Sequence, residues 1–276
     1  MINCTVCNKG CSKTKDSEVS FCKSCKHFLF TPKDENGGAL NHPKISESLE
    51  KIRVTQAKKI SSLIKEYLDN EIRLIEIGAG KGYLISEFKK FFSNSTALDV
   101  DDTFKEELLN KKIKFINDDV ENIKSFSNYD LILGSHVIEH LKDPKKLIKI
   151  ANESQVKYLV FLLPINEGMI FKTASLFLKL NIPVFWNRLF QKMSNSPHFQ
   201  YFSNNSITKL FELNNYRVVK TIKINMADFT PNFKRVSSTE NKMISLLAGF
   251  LLPLLEIINL ITGKNDGAVY FCEIVD

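Results

Sequence analysis

No stretch of these 276 residues carries five or six like charges in a row, so the usual footprint of a nucleic-acid arm or an acidic tail is missing. The formal excess of +7 reads as a solvated, mildly basic surface, and nucleic acid is not an expected partner. The opening residues, MINCTVCNKG, have no apolar h-region. No secretory leader is therefore expected, and six cysteines without one point to a reducing, cytoplasmic setting. A membrane-spanning helix needs roughly 20 apolar residues. The best candidate, Ile244 to Ile261, offers 18 and is interrupted by Pro253 and Glu256. With 43% apolar and 25% charged residues, what remains is a globular chain, long enough for one large domain and a small appendage.

Four of the six cysteines form two C-x-x-C pairs, Cys4 with Cys7 and Cys22 with Cys25. Each such turn aims two thiolates at one point, and a hairpin between the pairs closes a tetrahedral structural zinc site. Cys11 is a spare ligand, His27 is near enough to compete, and Cys272 lies in an apolar strand and reads as core. Thr31 to Pro43 is rich in glycine, proline and polar residues, so the ribbon is expected to end there, giving units 1–43 and 44–276.

Glycine, with 11 residues, is sparse, yet three fall in five positions after the apolar strand Leu74 to Ile77. Gly78, Gly80 and Gly82 make a tight turn, and Tyr83 to Phe92 follows with helical periodicity. Such a turn lets backbone approach a ligand and presents free N–H groups at the helix start. The dinucleotide fingerprint needs a glycine where Tyr83 stands, so that reading lacks its third glycine. Asp99 ends a second strand, Ile113 to Ile116 is a third strand before Asp119 and Val120, and Tyr129 to Leu133 and Val156 to Leu163 are a fourth and fifth. Helical stretches between them predict a mostly parallel α/β sheet.

The run EIGAGKG, the strand ending in Asp99, the Asp119-Val120 pair and YDLILGSHVIEHLKDP together resemble class I S-adenosylmethionine-dependent methyltransferases, from about residue 50 onward. The resemblance implies a Rossmann-like seven-stranded, mostly parallel sheet with helices on both faces. It places Glu76 near the methionine amino group, and Gly78, Ala79, Gly80, Gly82 and Tyr83 in the bed of the cofactor. Asp99, with Val100 after it, would hold the ribose hydroxyls. Asp119 would hold the adenine amino group, Val120 would pack on the ring, and Ser135 would border the site.

The segment His136-Val-Ile-Glu139-His140 also matches H-x-x-E-H, the string of inverted zinc proteases. Its context argues against that reading, because it follows an apolar strand and runs into Asp143-Pro144, a helix start. Some relatives of the resembled family hold a divalent metal at this place, which makes His136, Glu139, His140 and the later His198 candidate ligands for a second metal. Without a metal, His136 is the first candidate base and His198 the second. The plain alternative is that Glu139 and His140 only cap and orient the loop.

Two apolar insertions, at about 165–200 with the single tryptophan Trp186 and at about 226–266, are expected beside the cofactor edge. They are expected to pack on each other as a lid. A sharper alternative has them face an apolar substrate or a membrane surface, with Lys172, Lys179, Arg188 and Lys192 suited to anionic headgroups. The expected acceptor is a small molecule or glycan, free or lipid-linked. The alternatives are a ribosomal RNA methyltransferase that grips RNA with its ribbon, and a cofactor-binding scaffold without turnover.

Overall fold

The computed structural model describes residues 2–33, 47–69, 71–192, 194–224, 251, 254–255, 257–259 and 261–275. The expected linker beyond residue 33, and much of the second insertion, lie outside them. The N-terminal hairpins give β1 (Ser12–Lys13), β2 (Val19–Cys22) and β3 (His27–Phe30). After α1 (Glu47–Ile64) come β4 (Arg73–Ile77), α2 (Tyr83–Phe88), β5 (Asn94–Asp99), α3 (Lys105–Asn110) and β6 (Lys114–Asn117). Then follow β7 (Leu131–Ser135), α4 (Pro144–Glu153), β8 (Tyr158–Pro164), α5 (Met169–Lys179) and α6 (Val184–Leu189). The chain finishes with β9 (Gln200–Tyr201), α7 (Asn204–Glu212), β10 (Tyr216–Ile224) and β11 (Gly267–Ile274).

Seven strands form one sheet in the order β10-β11-β8-β7-β4-β5-β6. The run β8 to β6 is parallel, and β11 is antiparallel to both of its neighbours. The expected seven-stranded, mostly parallel architecture is therefore present. Period-2 alternation sorts the strand residues. Ile75 and Ile77 of β4, with Leu159, Phe161 and Leu163 of β8, join the face covered by α4 and α7. Leu74, Val160 and Leu162 join the face covered by α1 and α2. Each fully buried Leu or Phe in these layers contributes about 1.5–3 kcal/mol. α4 starts as its sequence dictates, with Pro144 in the first turn and the Asp143 side chain accepting the N–H of Lys146 at 3.2 Å.

The strand order reverses between β4 and β7, since β5 and β6 extend one way and β8 the other. The carboxyl ends of β4 and β7 flank that switch point, where a parallel sheet leaves a crevice for ligands.

The ribbon is not a separate bead. Its sheet runs β1-β2-β3-β9, and β9 comes from residues 200–201, beyond the expected ribbon boundary. Phe28 pairs with Tyr201 and Leu29 with Gln200, and the Phe30 N–H donates to the Phe199 carbonyl at 2.9 Å. The first insertion packs on the ribbon, and the expected lid contact with the second insertion falls largely on residues outside those described. Phe171 and Trp186 pack tilted and edge-on around Phe28, and the Trp186 indole N–H donates to Asp16 at 3.0 Å. Lys192 bridges Asp16 at 2.6 Å and Glu18 at 2.8 Å. Aromatic area and a half-buried ion pair thus favour the ribbon as the partner. The described part of the second insertion meets the start of α5, where Asn259 accepts the Met169 N–H at 2.9 Å and Asp266 that of Ile170 at 3.0 Å, and the end of β10, where the Gly263 carbonyl accepts from the Lys223 ammonium at 2.5 Å. No helix of the described residues is long and apolar enough to cross a membrane.

Candidate active site

The glycine turn after β4 is held from the next strand. Asp99 ends β5, and its two carboxylate oxygens accept the N–H of Gly80 at 2.7 Å and of Asp101 at 2.9 Å. Gly78, Gly80 and Gly82 all have positive φ, a region other residues enter at a cost. They differ in what surrounds them. A side chain at Gly78 would strike Val137, and one at Gly82 would strike Leu108, each at 2.4 Å, whereas the space above Gly80 is open. Gly78 and Gly82 are needed for packing, and Gly80 leaves a cradle beside bare backbone.

That cradle floors a cavity of about 140 Å³. Glu76, Gly78, Ala79, Gly80, Tyr83 and Ser135, six of the expected cofactor residues, line it. Arg53 and Gln56 of α1, with Lys81 and Leu162, line it as well and were not expected from sequence. α1 carries no motif, and only its placement over α2 brings these two side chains in. Val100 is 60% exposed, an open apolar surface beyond Asp99. Asp119 accepts the N–H of Glu121 at 2.9 Å and so caps the short helical turn that begins with the half-buried Val120.

Glu76 is buried behind the turn and accepts the N–H of Ile85 at 2.9 Å. Burial raises its carboxyl to about 8, the Ile85 N–H opposes that rise, and the Asp99 charge adds to it. Between its ordinary value of 4.5 and about 8, the folded chain holds a proton that the unfolded chain has released. This group's contribution to stability therefore falls as pH rises through that window.

β7 delivers the second half of the site. His136 follows Ser135 with φ 58, left-handed backbone for a residue with a side chain. Its ring Nδ1 lies 3.1 Å from Glu139 Oε1. A turn of 3-10 helix, Ile138–His140, then places Glu139, fully buried, beside His140 and His198. One ligand atom from each of these three lies within 4.8 Å of the others. Three of the four expected second-metal ligands are thus brought together. His136 stands outside the trio as a hydrogen-bond partner of Glu139.

The trio is polar, crowded and incompletely satisfied. Glu139 Oε2 and His198 Nδ1 are buried without a hydrogen-bond partner. The far nitrogens are held: His140 Nδ1 lies 2.9 Å from the Pro197 carbonyl, and His198 Nε2 lies 2.8 Å from the Gln191 amide. Burial lowers both histidines, His198 to about 3, and raises Glu139 to about 8. Neutral imidazoles with one nitrogen anchored are the state that ligates metal. A dication beside Glu139 would hold its carboxylate ionised.

The ribbon gathers Cys4, Cys7, Cys22 and Cys25 within the same 4.8 Å limit, all as free thiols. Cys7 Sγ and Cys22 Sγ are 3.6 Å apart, close to the ~3.8 Å edge of a tetrahedron with Zn–S bonds of about 2.3 Å. Cys11 lies outside this set, its thiol directed to the Lys9 carbonyl. His27 does not compete either. It is buried with Nε2 at 2.8 Å from Gln200 Oε1, and burial lowers it to about 4. Gln200 is the hub that sequence reasoning missed. Its amide group donates to the Leu141 and Lys142 carbonyls at 3.2 Å, tying the ribbon to the loop after β7.

The profile of a methyltransferase domain matches residues 49–221. The chain belongs to the methyltransferase-domain family. The match starts inside α1 and stops within β10, so it spans the glycine turn, Asp99 and the Glu139 trio. A malonyl-[acyl-carrier protein] O-methyltransferase of Bacillus cereus is 24% identical over 124 residues, 41% of this chain and 44% of that protein. The chain therefore matches less than half the length of that curated relative. Among solved structures, coclaurine N-methyltransferase bound to N-methylheliamine and S-adenosylhomocysteine superposes with a TM-score of 0.55 at 14% identity, over 83% of this chain and 74% of that one. The magnesium protoporphyrin IX methyltransferase of Synechocystis, also with bound S-adenosylhomocysteine, gives 0.53 at 9% identity, over 88% and 91%. These likenesses establish the shared fold of this methyltransferase.

One expectation follows for cofactor binding. A cofactor ammonium group beside Glu76, as the sequence resemblance implies, would favour the ionised carboxylate, so binding below pH 8 would release a proton. Affinity for S-adenosylhomocysteine should rise between pH 6 and 8 by up to about tenfold per unit, and Glu76→Gln should flatten the profile. Calorimetry in buffers of different ionisation enthalpy reads both effects. A pH-independent wild type would exclude this role for Glu76.

Proposed function

We propose that this protein transfers the methyl group of S-adenosylmethionine to a small-molecule or glycan acceptor, with a structural zinc in its ribbon. The observation that carries the reading is the glycine turn. Asp99 clamps it from β5, Glu76 is buried behind it, and the space above Gly80 is open. S-adenosylmethionine supplies an electrophilic methyl group that passes in one in-line displacement, its bonding electrons staying on sulfur. Asp99 keeps carboxylate lone pairs for ribose hydroxyls while it holds Gly80 and Asp101. Ser135 and His136, at the end of β7, border the place where donor and acceptor meet.

His136 is the base in this reading. With the proton on Nδ1 and Glu139 Oε1 accepting it, Nε2 is the nitrogen that takes the acceptor's proton. His136→Ala is expected to lower turnover about 100-fold or more without changing S-adenosylhomocysteine affinity. Incubating the protein and methyl-labelled S-adenosylmethionine with a lysate of its source cell, fractionated into RNA, soluble and organic-extractable material, tests the activity. Label in soluble glycan, small molecules or lipid supports the reading, and label confined to RNA overturns the acceptor class.

A second reading, favoured by the partnerless Glu139 Oε2 and His198 Nδ1, adds a divalent metal on Glu139, His140 and His198. There it would bind an acceptor hydroxyl and ease its deprotonation. Metal analysis separates the two readings. Two metals per chain, one of them lost in His198→Ala together with activity, supports the second. A single metal that survives this substitution leaves His136 alone as the base.

A further inference from the structure

Where the ribbon hairpin meets α5, two adjoining hollows of about 370 Å³ and 270 Å³ share Phe21, Phe28, Ser175 and Lys179 in their walls. They form one groove. Its floor is aromatic, with ring centroids 4.5 Å apart for Phe21 and Phe28 and 5.0 Å for Phe28 and Phe171. Its rim is cationic, with Lys26 on the hairpin and Lys172 and Lys179 seven residues apart along α5. Lys13 and Lys15 continue that rim, and the Lys15 ammonium caps α5 by donating to the Lys179 carbonyl at 2.7 Å.

Among the described residues, Lys26, Lys172 and Lys179 make no ion pair, while Lys192 nearby has two. The acids nearest Lys172 are already engaged. Glu167 accepts from the Asn204 backbone and side chain at 2.9 and 2.7 Å, and Asp266 accepts from Ile170 and Asn259. Lys172 instead meets Lys264, and that contact, followed by burial, holds its ammonium below the usual lysine value. Like charges brought together over an apolar floor are stabilised by an anion, and three separated ammonium groups match a diphosphate better than one carboxylate. Flat rings between them suit a base or another planar or apolar body. The groove also lies at the productive edge of the sheet. Asn166 lines it two residues past the end of β8, whose Leu162 lines the cofactor cavity.

We propose that this groove binds a diphosphate ester carried by the acceptor, with the phosphates on Lys26, Lys172 and Lys179 and the flat or apolar body on the phenylalanines. The proposal rests on the methyltransferase reading and deepens it by naming the acceptor class. A diphosphate ester can reach the groove as a soluble nucleotide or on a lipid, and the two arms of the test tell these apart.

Uridine diphosphate is titrated calorimetrically into the metal-loaded protein, all 276 residues present, and phosphatidylcholine vesicles carrying a polyprenyl diphosphate are co-sedimented with it. The expected result is binding in one arm that weakens about tenfold or more in Lys172→Ala/Lys179→Ala, with S-adenosylhomocysteine affinity unchanged. Binding of the nucleotide assigns the soluble source, and binding of the vesicles alone assigns the lipid. Absence of binding in both arms, equal binding by the double variant, or binding of a single-stranded oligonucleotide in place of both probes would overturn the proposal. Loss of S-adenosylhomocysteine binding by the wild type is a separate failure, which would strike the methyltransferase reading and leave the diphosphate titration to be judged by itself.

Discussion

Asp99→Ala is expected to weaken S-adenosylhomocysteine binding about 100-fold or more. Two effects combine. The carboxylate accepts the N–H groups of Gly80 and Asp101, and each charge-assisted bond of this kind contributes roughly 1.5–3 kcal/mol. Without it, three residues of positive φ lose the anchor that sets their turn, while the acceptor proposed for the ribose hydroxyls disappears as well. Two such losses amount to about 3–6 kcal/mol, or roughly 100- to 10,000-fold in affinity. Asp99→Asn keeps an acceptor without charge and should fall between. Asp119→Ala is the contrast, because that exposed side chain holds only the Glu121 N–H, and a loss of a few-fold is expected. Calorimetry on the three variants checks the ranking. An Asp99→Ala protein that binds within fivefold of wild type would remove Asp99 from the cofactor site.

The second large effect lies in the ribbon. Cys22→Ser is expected to remove one metal per chain and to lower the melting temperature by about 10 °C or more. Structural zinc in small Cys-rich sites is worth roughly 10–16 kcal/mol as apparent binding energy, more than this ribbon's few short strands can replace. Cys4, Cys22 and Cys25 belong to the main apolar cluster of the protein, so the loss reaches beyond the ribbon. Taking about 4 kcal/mol as the part felt by the whole fold, at roughly 2–4 °C per kcal/mol for a chain of this size, gives the expected shift. Cys11→Ser, beside Cys4 and Cys22 but outside the four-thiol set, should keep both metal and melting temperature. Elemental analysis with calorimetry decides. Full metal content in Cys22→Ser would mean that the ribbon is not held by these thiols.

Much of this site can be read from the residues in order. The strand Leu74 to Ile77, the glycines behind it and Asp99 are local signals, because a turn of positive φ and a strand end write themselves in neighbouring residues. The same holds for Pro144 after Asp143 at the start of α4. What could not be read is pairing across long separations. β9 has two residues, too few for any periodicity, yet it completes the ribbon sheet. Gln200 looks like an ordinary polar residue until His27, Thr5 and the loop after β7 surround it. Arg53 and Gln56 enter the cofactor cavity only because α1 lies across α2. Trp186 and Phe171 announced an apolar insertion, but periodicity does not say which surface it covers, and the aromatic face of the ribbon was the partner.

The two-residue strand from the far half of the chain also sets an order of events at the ribosome. His27 and Gln200 are 173 residues apart, and synthesis at about 5–20 residues per second separates them by on the order of ten seconds. Through that interval the newborn hairpin has thiols ready for metal but an unpaired edge at Phe28 and Leu29. A chain cut anywhere between residues 33 and 200 never covers that edge. Fragments of the N-terminal half should therefore be sticky and protease-sensitive even when zinc-loaded, and the last step of assembling the ribbon belongs to the catalytic half.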